Sequence, residues 1–170
     1  GLVVPLNVSV SDSAATAMLA DAEISAVVAS SDLVMRLDGI TKNLSPTLIR
    51  ITPEPFQGWL TFEDLTNGQP AHLPDTGVDG SALINIIYSS GTTGMPKGIA
   101  HDHASRRDWA YDLAIALRYH GGARTLLTIG LYSNISWVAM LATLLAGGCI
   151  FVESTFDEDA FIDKVQLERI

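Results

Sequence analysis

The chain is 170 residues long and 48% apolar, enough to bury the core of a folded domain and too apolar for a disordered segment. Ten basic residues stand against nineteen acidic ones, for a formal net charge of -9. No Lys/Arg cluster offers a footprint for a phosphate backbone, so nucleic acid is a poor partner. Cys149 is the single cysteine, which excludes an internal disulfide and a multi-cysteine metal site and suits a reducing, cytoplasmic setting.

In chain order, GLVVPLNV reads as a strand and SDSAATAMLADAE as a helix with Ser11 or Ser13 available as N-cap. ISAVVAS reads as a buried strand, and TLIRI, starting at Thr47, as a short one. Residues 52–81 hold Pro53, Pro55, Pro70 and Pro74 with scattered glycines, which predicts a long surface connection with one helical turn at WLTFEDL. ALINIIYSS follows as a fully buried strand.

A helix is expected from His103 to His120, with Asp102 as N-cap. Its apolar stripe is Ala110, Leu113, Ala114 and Leu117, and Gly121 and Gly122 end it. RTLLTI is the next strand, ISWVAMLATLLA a helix apolar nearly all round, CIFVE a strand, and DEDAFIDKVQLERI a helix with its acidic residues toward the N-terminus. Strands alternating with helices predict an α/β fold, a layered and largely parallel sheet flanked by helices.

No basic region precedes an apolar core at the N-terminus, so no secretory signal is expected there. Both ends read as cut, one opening in mid-strand and the other stopping inside an amphipathic pattern, and the chain is expected to be an internal fragment. Thr125 to Val152 carries no charge and is long enough to span a bilayer. Gly130, Ser133, Asn134, Gly147 and Gly148 interrupt it, so strand, loop, buried helix and strand is the better parse, with no integral membrane segment.

The stretch YSSGTTGMPKG, Tyr88 to Gly98, carries the chemistry. Gly91, Gly94 and Gly98 are expected to free the backbone for positive φ and to let a ligand approach its N–H groups, which in such a turn form an anion nest. Ser89, Ser90, Thr92 and Thr93 add hydroxyl donors, and Lys97 adds a positive charge on a flexible stem. A polyphosphate is the ligand that uses all of these, where a plain strand-to-helix turn needs one glycine and one polar residue. The common nucleotide loop G-x-x-x-x-G-K-[ST] does not match, because Pro96 stands before Lys97; G-x-G-x-x-G is absent too.

IIYSSGTTGMPKGIAHDH closely resembles the signature loop of the adenylate-forming superfamily, which includes acyl-CoA synthetases, luciferases and the adenylation domains of peptide synthetases. Ser89 in place of threonine is its only departure. GLVVPLN, WLTFEDL, His103 and LLAGGCIFV are also similar to family segments, so the chain resembles an internal part of the large N-terminal domain, without the small C-terminal one.

The resemblance implies that a carboxylic acid attacks the α-phosphate of Mg-ATP to give an acyl-adenylate, and that a thiol, here expected to be CoA, then takes the acyl group. It implies that Lys97, Thr92 and Thr93 act on the departing pyrophosphate, with Ser89, Ser90, Gly91 and Gly94 completing the ATP loop. The magnesium-holding glutamate, the ribose aspartate, the hinge and the catalytic lysine of the small domain are expected outside this stretch, so the fragment alone is expected to be inactive.

TIGLYSNISW aligns with a family segment reading Pro-Leu-Tyr/Phe-His, which puts Gly130 at the proline and Ser133 at the histidine. Tyr132, Ser133, Asn134 and Trp137 are therefore candidates for the acid pocket; a helix start capped by Ser133 or Asn134 with Trp137 as core explains them equally. His101 and His103 around Asp102 suggest a metal, but capping by Asp102 makes fewer demands and no metal ligand is assigned. A non-catalytic nucleotide- or phosphate-binding module remains the alternative to the ligase, and the oligomeric state stays open.

Overall fold

The computed structural model describes residues 1–89, 96–153 and 155–170. The chain divides into two compact units, Val8–Gly77 and a second made of Gly1–Asn7 with Val78–Ile170.

In the Val8–Gly77 unit, Ser11 caps α1 (Asp12–Asp21) by accepting the Ala14 N–H at 3.3 Å. Ala15, Met18 and Leu19 are its buried positions, at the spacing of one helix face. β1 (Ala26–Val28) pairs in parallel with β2 (Ile49–Thr52), which pairs in parallel with β3 (Leu60–Thr61). Only Val27 of β1 is buried, so the strand is half-buried rather than the buried run expected.

Between β1 and β2 lies α2 (Val34–Thr41), a helix the sequence patterning does not announce. Its N-cap, Leu33, supplies no capping side chain, and Gly39 sits inside it. Arg36 secures it instead, donating to Asp12 Oδ1 at 2.8 Å and to the Val8 and Val10 carbonyls. The proline-rich connection contains the expected helical turn, α3 (Phe62–Thr66), closed by a reciprocal capping box between Thr61 and Asp64.

The second unit carries β4 (Leu83–Ser89), β5 (Lys97–Asp102), α4 (His103–Ala116), β6 (Arg124–Leu127), α5 (Asn134–Leu145), β7 (Cys149–Val152) and α6 (Glu158–Glu168). β6 and β7 are parallel, whereas β4 and β5 form an antiparallel hairpin. The fold is thus α/β with parallel sheets flanked by helices, as expected, plus this hairpin.

The sequence-based expectations need correction at four elements. GLVVPLNV is reduced to a parallel bridge between Val3 and Asn85, because Pro5 has no N–H to continue a ladder. β4 alternates, with Asn85 and Ile87 buried and its ends exposed, since a hairpin buries one face. The loop after β4 leads into a strand, β5, before α4 begins. α4 stops at Ala116 rather than His120, as Arg118 turns to a φ of 60°, and of the expected stripe Ala110 is buried while Leu117 is 62% exposed.

Asp157 caps α6 through the Ala160 N–H at 2.8 Å, and Glu158 and Asp159 fill the first turn, where negative charge is favourable. No helix among the described residues is long and apolar enough to cross a membrane.

Candidate active site

The β4–β5 hairpin holds the two ends of the signature loop. Ser89 is paired with Lys97, Tyr88 with Gly98 and Ile87 with Ile99, so the loop is anchored on both sides by ladder bonds. Ser89 and Lys97 are both exposed at the open end. Ser90, Gly91, Thr92, Thr93 and Gly94 lie outside the described residues.

Gly98 does a different job from the one expected. It is a strand residue without a positive φ, and a Cβ there would lie 2.9 Å from Ile86 Cγ2 and 3.1 Å from Tyr88 Cζ. Glycine leaves room for the Tyr88 ring directly beside Lys97.

At the other end of β5, Asp102 caps α4 as expected, its Oδ1 accepting the Ser105 N–H at 2.6 Å. That backbone donor, with the Ser105 hydroxyl, holds the Asp102 carboxyl below the usual carboxylate range. His103 lines a small open cavity with Asp79, Gly80 and Arg107. His101 is partly buried, opposite Asn85 in the ladder; burial first, and the Arg106 charge second, push its pKa below the ordinary 6.5.

Arg106, in the first turn of α4, is 2% exposed and is the largest fully buried side chain among the described residues. Its Nε donates to Asn85 Oδ1 at 3.1 Å and its Nη2 to Asn134 Oδ1 at 2.8 Å. The guanidinium also lies over the rings of Trp109 and Trp137, 5.2 and 5.6 Å from their centroids. One buried arginine thus joins β4, α4 and α5.

The turn into α5 is built by local bonds. Ser136 Oγ donates to the Ile129 carbonyl at 2.6 Å and Trp137 Nε1 to the Leu131 carbonyl at 2.7 Å. The Tyr132 ring fills the space where a Cβ on Gly130 would sit, at 2.7 Å. Ser133 occupies the N-cap position without a capping side-chain bond, and Trp137 is buried.

Of the residues singled out in the sequence, Asn134 and Trp137 come together on Arg106. Lys97 and Ser89 meet at the hairpin end, and Tyr132 and Ser133 lie in the turn preceding α5. Asn85 and Arg106 were missed. A signal existed for Arg106, which stands four residues before Ala110, on the apolar stripe itself; Asn85 likewise interrupts an apolar strand.

A family model described as AMP-binding enzyme matches residues 1–170. The chain belongs to this family. Among AMP-binding relatives, indoleacetate–CoA ligase of Aromatoleum aromaticum is 28% identical over 175 residues, covering 99% of this chain and 34% of the relative. A linear gramicidin synthase of Brevibacillus parabrevis is 31% identical over 111 residues, covering 65% of this chain and 1% of that protein. The crystal structure of a putative long-chain-fatty-acid CoA ligase from Rhodopseudomonas palustris superimposes with a TM-score of 0.88 at 20% identity, over 99% of this chain and 42% of the other. The chain therefore spans about a third of the CoA ligase relative and a far smaller share of the peptide synthase.

Proposed function

We propose that the protein carrying this chain activates a carboxylic acid with ATP to an acyl-adenylate and passes the acyl group to CoA. The observation that carries this reading is the register pairing of Ser89 with Lys97, which holds the signature loop closed at its base with an exposed ammonium and hydroxyl at its mouth. Those two described ends present cationic and hydroxyl donors and no carboxylate, a set that suits a polyphosphate rather than a metal ion.

In this reading a carboxylate oxygen of the acid attacks the α-phosphorus of ATP, and the bond to the bridging oxygen breaks. Pyrophosphate leaves with added charge. Lys97, Thr92 and Thr93 stabilise that charge, while Ser89, Ser90 and the backbone of Gly91 and Gly94 hold the β- and γ-phosphates in place. Magnesium, with its ligand expected outside this stretch, would supply further charge neutralisation on the phosphates. The thiol of CoA then attacks the acyl carbon and AMP leaves. Tyr132, Ser133, Asn134 and Trp137 line the acid pocket in this account, and the setting is cytoplasmic.

A carrier-protein thiol in place of CoA is the second reading, favoured by the gramicidin synthase relative. ATP–pyrophosphate exchange against short, long, alicyclic and aromatic acids tests the adenylation step. Exchange that depends on one acid class supports it; ATP binding without exchange for any acid moves the protein to a non-catalytic nucleotide-binding module. Supplying CoA or a phosphopantetheinylated carrier then separates the two acceptors.

A further inference from the structure

Arg106 is buried with no carboxylate partner among the described residues. Its Nε and Nη2 are taken by Asn85 and Asn134, but Nη1 is sealed from solvent without a hydrogen-bond partner among the described residues. Because Asn85 Oδ1 faces the Arg106 Nε–H, the Asn85 amide nitrogen is fixed as a donor, and it too has no partner. His101 Nε2, opposite Asn85 across the ladder, is a third buried atom without one. Arg106, its partner Asn85 and His101 across the ladder from Asn85 thus each carry a buried polar nitrogen without a partner, and the Arg106 charge has no counter-charge among the described residues.

A leucine on this stripe would fill the same place without that cost, since a buried ion with neither counter-charge nor complete hydrogen bonding is strongly unfavourable. The Asn134 amide covers Nη2, and Tyr132, Ser133 and Asn134 are themselves only partly buried. If the Asn134 side chain swings aside, Nη1 and Nη2 form a two-pronged fork, the side of a guanidinium that binds a carboxylate through two parallel bonds. Nε stays on Asn85, and the two tryptophan rings keep the plane of the fork in place.

We propose that this cluster takes a second carboxylate on the acyl chain, so that the acid activated is a dicarboxylic acid recognised by Arg106 and Asn85. The proposal rests on the reading above, in which the turn from Tyr132 to Trp137 lines the acid pocket. The first carboxylate reacts with ATP, and the second is bound without change.

The test is ATP–pyrophosphate exchange by the full-length protein with matched pairs: succinate and butyrate, adipate and hexanoate, suberate and octanoate. For the pair of best length, kcat/KM for the diacid should exceed that for the monoacid by about thirtyfold or more, the lower end of the loss when one partner of a buried, hydrogen-bonded charge pair is removed. Arg106→Met should bring the ratio to or below one, and Arg106→Lys, which keeps the charge but not the fork, should give an intermediate ratio. Equal use of both members by the wild type, preference for the monoacid, or a ratio unchanged by Arg106→Met would each overturn the proposal and leave Arg106 as a hydrated structural residue.

Calorimetric titration of adipate and of hexanoate into the ATP-free protein tests the site apart from the reaction. Adipate binding that is lost in Arg106→Met, with no exchange for any acid, would uphold the site and reject adenylation. Neither binding nor exchange would reject both.

Discussion

Tyr88 and Gly98 face each other across the hairpin, and the tyrosine ring occupies the space that a Cβ at position 98 would need, 3.1 Å from Tyr88 Cζ. Gly98 adjoins Lys97, so a shift of the strand to admit a methyl group moves the lysine. Gly98→Ala should destabilise the protein by about 1–3 kcal/mol, the usual range for overpacking. It should also lower kcat for pyrophosphate exchange by roughly tenfold to a hundredfold, as displaced catalytic groups do. A variant that melts early yet exchanges at the wild-type rate would show that the hairpin does not position Lys97.

Asn85 holds the buried end of Arg106 at 3.1 Å. Asn85→Ala leaves the Nε–H buried without an acceptor, so the midpoint of urea unfolding should fall by the equivalent of about 1–3 kcal/mol. An unchanged midpoint would mean that water reaches the guanidinium.

The Gly147–Gly148 turn between α5 and β7 combines two constraints. Gly147 has a φ of 78°, and a Cβ on Gly148 would lie 2.5 Å from the Ala123 carbonyl oxygen, which belongs to backbone and cannot swing away. Gly148→Ala should therefore cost at least the roughly 1–3 kcal/mol of overpacking, and more than Gly147→Ala, where a Cβ would lie an ordinary 3.9 Å from the Gly121 Cα and the penalty for a left-handed φ is about 1–2 kcal/mol. Thermal unfolding of the pair checks the order, and the reverse order would contradict the packing.

Burial and Arg106 favour the neutral form of His101, so its pKa is lower in the folded than in the unfolded chain. The unfolded chain then binds more protons below the ordinary value of 6.5, and the stability His101 contributes is present above that value and lost as the pH falls toward its depressed pKa. The Asp102 carboxyl, also depressed, has the same sign in a lower window, below the ordinary 3.8. Urea midpoints measured from pH 7 to 5 should fall, and His101→Gln should flatten the slope in that range. A slope that survives the substitution would assign it to other groups.

Much of this organisation was legible in the sequence because single side chains announce it. Ser11 and Asp102 each cap the helix that follows them, the acidic residues from Asp157 mark the start of α6, and the two glycines at 147 and 148 end α5. α2 was not legible, since an arginine reaching back to Asp12 and two carbonyls replaces the missing cap. β5 was hidden because a strand of mostly exposed residues, Lys97 to Ala100, leaves no apolar pattern. Arg106 was hidden by its type: a charge near a helix start reads as solvated, and only the three-dimensional meeting of Asn85, Asn134 and two tryptophans makes its burial possible.

The role proposed for Lys97 is tested by separating the two half-reactions in the full-length protein. Adenylate formation by wild type and Lys97→Ala would be followed in single turnovers, beside acyl transfer to CoA from adenylate supplied preformed. Lys97→Ala should lose about a hundredfold or more in adenylate formation, the scale of removing one donor to a developing charge, with transfer from preformed adenylate spared. Equal loss in both half-reactions, or none in the first, would contradict the assignment of Lys97 to the departing pyrophosphate.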